Sequence, residues 1–141
     1  MEWVIGGVVV VVLGLMTAIR LAPLERETWH VSPQATWGAW NEVVPMTGGA
    51  SLRLSPEKGR PQELLVRLDK AAMATPRTMR LAGSEEEGRV TWVTRSAFWG
   101  FPDVTTAEVR EDGLYVLARL RFGREDMGVN AKRLRRWLAA L

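Results

Sequence analysis

From Val4 to Ile19 no residue is charged, and the run includes five consecutive valines, Val8 to Val12. Bounded by Trp3 and Arg20, it is slightly shorter than the roughly 20 residues that cross a hydrocarbon core of about 30 Å. Trp3 at one interface makes a span feasible if Arg20 snorkels at the other, with Leu21, Ala22 and Leu24 extending the apolar stretch. The alternative is a cleaved signal peptide. Neither a basic segment before the run nor a clean Ala-x-Ala site after it is present, so residues 1–22 are expected to be an uncleaved transmembrane anchor.

This run also explains the composition. Residues 3–24 hold 16 apolar residues in 22, and without them the 47% apolar content falls to about 42%, an ordinary globular fraction. The chain is 141 residues long, which fits one soluble domain beside the anchor. With no cysteine, disulfides, thiolate nucleophiles and Cys-ligated metals are excluded, and a single histidine excludes a multi-His site. No metal or other cofactor is expected. The net charge of +3 has one source: residues 31–128 balance, and the surplus is Lys132, Arg133, Arg135 and Arg136. Four bases on one terminal helix, without a stacking platform or a reader motif, argue against nucleic acid. They read as a solvated outer face, or as a patch for anionic headgroups or a partner.

Arginine outnumbers lysine 16 to 3, which suits a GC-rich bacterial genome and hence a bacterial inner membrane. The side taken by the domain is finely balanced. Arg20 and Arg26 after the span weigh toward the cytoplasm, whereas the very short N-terminus favours export of the domain behind it, and the expectation leans periplasmic.

Residues 23–49 hold Pro23, Pro33, Pro45, Gly38, Gly48 and Gly49, with Trp29, Trp37 and Trp40 between them. A flexible linker would not carry three tryptophans, so this is an ordered neck, packed on the domain or docked on headgroups through Trp29. The domain, residues 50–141, opens with a strand at 50–54. A helix follows over 61–74, with Pro61 at its first position and Leu64, Leu65, Leu68, Ala71 and Ala72 as its apolar stripe. Strands are expected at 78–82, 89–97, 104–110 and 114–122, with a polar loop at 83–88 and Asp112-Gly113 as a tight hairpin turn. A last helix begins with Asn130 as N-cap, Val129 stapling onto Leu134, and buries Leu134, Trp137, Leu138 and Leu141. The fold class is α+β, a single transmembrane helix followed by a small antiparallel sheet with two helices on one face.

Three places could carry chemistry. Gly123 and Gly128 bracket Asp126 before the last helix, whose amides could receive an anion with Arg119, Arg121 and Arg124 supplying charge; alternatively Asp126 caps the turn. The segment from Arg95 to Asp103 places Phe98, Trp99 and Phe101 beside Gly100 and Pro102, which suits core sealing or an exposed apolar contact. His30, without a serine or carboxylate at a useful spacing, suits tying the neck to the domain better than proton transfer.

Pro76-Arg77-Thr78, Val93-Thr94-Arg95-Ser96, Gly100-Phe101-Pro102-Asp103, Arg121-Phe122-Gly123 with Asp126, Gly128, Val129 and Asn130, and Arg136-Trp137-Leu138 together resemble the family catalogued as domain of unknown function 1499. Leu21-Ala22-Pro23-Leu24 and Trp29-His30-Val31 are similar to it as well. The resemblance implies a fold and a set of positions rather than a reaction. Arg95, Ser96, Asp103, Arg121, Asp126 and Asn130 match its polar pattern and, with Arg119, are the candidate ligand or partner site. Similar proteins tend to show Arg-Ser-Arg and a Tyr-Ser pair where this chain has Arg119-Leu120-Arg121 and Arg124-Glu125, which weakens hydroxyl chemistry at that edge. No catalytic residue is assigned. The expected role is a membrane-anchored, non-enzymatic accessory subunit that contacts the lipid bilayer and a membrane-protein partner. The alternative is a binder of a small anionic molecule or lipid, even a weak hydrolase, through Arg95, Arg121 and Asp126.

Overall fold

The computed structural model describes residues 1–141. Helix α1 (Glu2–Leu21) has 20 residues and no buried side chain. At 1.5 Å per residue it is about 30 Å long, matching a bilayer's hydrocarbon core. By length and hydropathy it is a candidate membrane span, a description that also fits a signal sequence.

A four-residue helix, α2 (Arg26–Trp29), leads into the soluble part. There the strands are β1 (Val44–Met46), β2 (Gly49–Leu54), β3 (Thr78–Ser84), β4 (Arg89–Arg95), β5 (Pro102–Arg110) and β6 (Gly113–Leu120). They form one antiparallel sheet in the order β1-β2-β6-β5-β4-β3. Helix α3 (Pro61–Met73) crosses from β2 to the far edge, and α4 (Val129–Ala139) ends the fold. The expected α+β class, with an N-terminal apolar helix, is what the molecule shows.

Alternation decides what each sheet face does. Ala50, Leu52 and Leu54 of β2, Val90 and Trp92 of β4, Ala107 of β5 and Leu114, Val116 and Ala118 of β6 point to one side, where Leu64, Leu65 and Leu68 of α3 and Leu134 and Trp137 of α4 meet them. Each Leu or Trp buried here contributes roughly 1.5–3 kcal/mol. Several polar groups inside this layer are paired. Trp92 Nε1 donates to Asp69 Oδ1 at 2.8 Å, Asp69 also pairs with Arg80, and Trp137 Nε1 donates to Thr75 Oγ1 at 2.8 Å.

The opposite face has no helix; the chain between α2 and β1 lies across it as a strap. Ser32 Oγ donates to Glu108 at 2.7 Å, Arg110 Nη2 donates to the Pro33 carbonyl at 2.6 Å, and Arg53 Nε donates to the Gly38 carbonyl at 3.0 Å. Trp37 and Trp40 meet Tyr115 edge-on, with ring centroids 4.8 and 5.9 Å away. Trp29 lies 4.8 Å beneath the Arg119 guanidinium. The tryptophans of this segment are therefore used on the sheet.

Several boundaries differ from those expected. β1 escapes the pattern because Pro45 interrupts it; proline is tolerated there since β1 is an edge strand. β3 continues to Ser84 through an irregularity between Arg80 and Ala82, which shortens the expected polar loop. The β5–β6 turn residues are Glu111 and Asp112, and Gly113 already belongs to β6. Asn130 is the second residue of α4 rather than its N-cap; that place is taken by Gly128 at φ 78°, in the left-handed region glycine favours.

His30 pins the strap. Its Nδ1 is 2.8 Å from Thr91 Oγ1, whose hydroxyl also meets Thr106 at 2.8 Å. Burial pulls the imidazole below its ordinary 6.5, against the opposing pull of Glu87. The folded state thus favours neutral His30, so its contribution is complete above about pH 6.5 and is lost as the pH falls below it. Glu108 titrates in a lower window: burial raises it, but hydrogen bonds from Ser32, Arg89 and Arg110 outweigh that and hold it below 4.5. Thermal melting should therefore show Tm falling as the pH is lowered below about 6.5, and His30→Gln should flatten that slope.

Candidate functional site

Strand direction gathers one set of loops at the end of the sheet nearest α1. The β4–β5 connection, residues 96–101, is held there by Arg20: its Nη1 donates to the Trp99 carbonyl at 3.0 Å and its Nη2 to the Phe98 carbonyl at 2.8 Å. Gly100 makes the approach possible. It has φ 77°, and a Cβ there would lie 2.9 Å from Arg20 Cγ. Phe98 is 62% exposed beside this contact.

Beside the loop, three polar groups lock α4 to the sheet. Asp103 and Thr94 are register partners on the helix-covered face. Arg133 Nη2 donates to Asp103 Oδ2 at 3.0 Å, and its Nη1 donates to Asn130 Oδ1 at 2.6 Å. Arg133 and Asn130 are both buried. Burial pushes the Asp103 carboxyl up, opposed by the Arg133 guanidinium and reinforced by the nearby Asp126 carboxylate. Asn130 Nδ2 is buried without a partner.

Asp126 performs the capping role. Its Oδ1 accepts the Gly128 amide at 3.1 Å and its Oδ2 the Asn130 amide at 2.9 Å. Burial raises its carboxyl, but the two amides outweigh that and hold it low.

The expected site residues do not all converge. Ser96, Asp103 and Asp126 line one pocket of about 270 Å³ with Phe101 and Phe122. Arg95, Ser96 and Asp103 line a second of about 200 Å³, in which Arg77, Arg133 and Arg136 also take part. Arg119 belongs to the strap face, against Trp29, where burial lowers its basicity. Arg121 stacks on Phe122 at 4.9 Å. Arg95, Arg121 and Asp126 therefore share no cavity, and the anion site expected from that trio is not assembled. Trp3 is exposed at the far end of α1.

Two contributors lie outside the expected set. Composition places Arg133 on an outer basic face, yet Asn130, Arg133, Leu134 and Trp137 follow the i, i+3, i+4, i+7 spacing of one buried stripe. Arg77 falls in the Pro76-Arg77-Thr78 motif that resembles the family, but no chemical role could be read for it from the sequence. Its φ of 56° is a left-handed conformation uncommon outside glycine.

Hydrolytic chemistry finds no assembled machinery. Ser96 Oγ accepts the Phe101 amide at 2.9 Å, while His30 sits on the other sheet face against Thr91. No group of three or more His, Asp or Glu side chains is placed to hold a metal ion.

The model of a family described as "Protein of unknown function (DUF1499)" matches residues 32–141. The chain belongs to the DUF1499 family. No curated protein and no solved structure matches it. The DUF1499 match takes in the strap from Ser32 onward and every residue lining the two pockets above, whereas Arg20, contributed by α1, lies outside it.

The Asp103–Arg133 pair can be tested directly. Asp103→Ala leaves a buried guanidinium short of its countercharge and should destabilise the domain by about 3–5 kcal/mol in chemical denaturation. Asp103→Leu combined with Arg133→Met should recover much of that loss. Asp126→Ala should cost about 1–2 kcal/mol through the lost cap.

Proposed function

We propose that this DUF1499 chain is a single-pass protein of a bacterial inner membrane, whose domain is held against the bilayer surface as a non-enzymatic accessory module for a membrane-protein partner. The observation that carries this reading is the Arg20 clamp. The last basic residue of the apolar helix spends two donors on carbonyls of the domain's own loop, so helix and domain form one unit. A detachable leader has no need of such a bond.

The surroundings of the clamp fit an interface. Phe98 and Met79 are largely exposed near it, and aromatic side chains favour the headgroup level. Trp3 would mark the opposite interface. A binding role is also supported by the separation of Ser96 from His30, which leaves the serine hydroxyl without an imidazole base.

Alkaline carbonate extraction, with mass measurement of the mature chain, tests the reading. The full-length chain should remain in the membrane pellet with residues 1–22 intact, and a chain lacking those residues should be released. A mature protein shortened by this segment, or extracted by carbonate, would sink the proposal. Cross-linking in native membranes, followed by mild detergent, should recover a defined partner; a lone monomer would count against the accessory role.

A further inference from the structure

Four guanidinium groups at the α1 end of the sheet, those of Arg20, Arg77, Arg95 and Arg136, take part in none of the ion pairs of the molecule. Arg80 and Arg89 of the neighbouring strands are instead neutralised by Asp69 and Glu108. Three of the four are positioned by carbonyls, which orient a guanidinium without neutralising it. Arg77 Nε donates to the Arg95 carbonyl at 3.0 Å, and Arg95 Nη1 donates to the Gly100 carbonyl at 3.0 Å. The Arg136 side chain makes no hydrogen bond at all.

These groups line neighbouring pockets that share wall residues around the β3–β4 edge. Arg77, Arg95 and Arg136 border the cleft of about 200 Å³ next to Arg133 and Ser96. Arg77, Arg95 and Ser96 also border a pocket of about 370 Å³ into which Arg20 and Met79 project. Met79 and Arg95 in turn border a groove of about 300 Å³, whose other walls include Ala22, Leu24, Leu81 and Val93. Taken in that order the lining passes from cationic to apolar, and it ends on the residues where the chain leaves α1.

We propose that this edge binds one anionic phospholipid, its phosphate among Arg77, Arg95 and Arg136 and an acyl chain along Leu24, Met79 and Leu81. A phosphate offers several acceptor oxygens to guanidinium forks arriving from different directions, whereas a carboxylate is satisfied by one or two. The apolar groove selects a lipid over a soluble phosphate ester. The inference rests on α1 being a membrane anchor, because that places the groove's open end at the bilayer surface.

The test uses the full-length chain in a neutral detergent, with binding followed by tryptophan fluorescence. Three probes separate the sources: dioctanoylphosphatidylglycerol, glycerol 3-phosphate, and dioctanoylglycerol. The lipid should bind at least about tenfold more tightly than either fragment. Arg136→Gln, which removes no hydrogen bond of the fold, should weaken lipid binding about tenfold with Tm unchanged. Met79→Asp should weaken the lipid but leave glycerol 3-phosphate unaffected. Equal binding by Arg136→Gln and the wild-type chain overturns the proposal. So does glycerol 3-phosphate binding as tightly as the lipid, which assigns the cleft to a soluble ester, or dioctanoylglycerol doing so, which leaves a merely apolar groove. Carbonate extraction reports on the anchor separately: a released chain that still binds the lipid loses the anchor and keeps the site.

Discussion

A six-stranded sheet has two faces to keep from water, and this domain has only two helices long enough to help. Both lie on the same face. Leaving the other bare would expose Val93, Val104 and Leu117 together with the ring of Tyr115. The strap solves this with an irregular segment instead of a third helix. Irregular backbone cannot satisfy itself, so the sheet face opposite must supply partners. That requirement explains why Arg53, Thr106, Glu108 and Arg110 stand where a solvent-free sheet face would carry valine or isoleucine. They bond the strap's carbonyls and hydroxyls, and the tryptophans fill the space between.

The same logic shows how much is legible in the sequence. β2, β4, β5 and β6, with α3 and α4, can be read because each has a period, two for the strands and 3.6 for the helices, and one face of each is buried. The strap has no period, since its order comes from partners distant in sequence; only its tryptophans hint that it packs. β1 is three residues around a proline. At the site, alternation in β6 already puts Arg119 opposite Leu120, away from the helix side on which Asp103 lies. The stripe of α4 likewise turns Arg133 inward. Charge is usually a sign of solvent, and that expectation hides a buried pair. Arg77 stands in a motif shared with the family, but its left-handed backbone in the α3–β3 connection has no signature in residue type.

Arg20 and Arg133 illustrate two uses of the same side chain. Arg133 is enclosed and neutralised by Asp103, with Asn130 as a second acceptor, so its role is to fix α4 on the sheet. Arg20 is bonded only to carbonyls and keeps its charge. Membership in the DUF1499 family covers the first arrangement, whereas the second depends on a helix that precedes the matched residues.

The strand directions carry one more consequence. β5 has nine residues, which at about 3.3 Å each separates its ends by about 30 Å. Around its start lie Arg77, Arg95 and Arg20, and around its end lie Glu85, Glu86, Glu87, Glu111 and Asp112 in the two hairpin loops. Residues 31–128 carry no net charge, yet even with Arg89 and Arg110 at that end and Asp103 at the start, acids are in excess around the end of β5, which gives the neutral body a dipole along its strands. In the field of an anionic surface such a body experiences a torque that points its basic end down. With α1 as the proposed anchor, orientation at a bilayer would be maintained by the charge layout of the domain itself, and the helix would be needed only to keep it there.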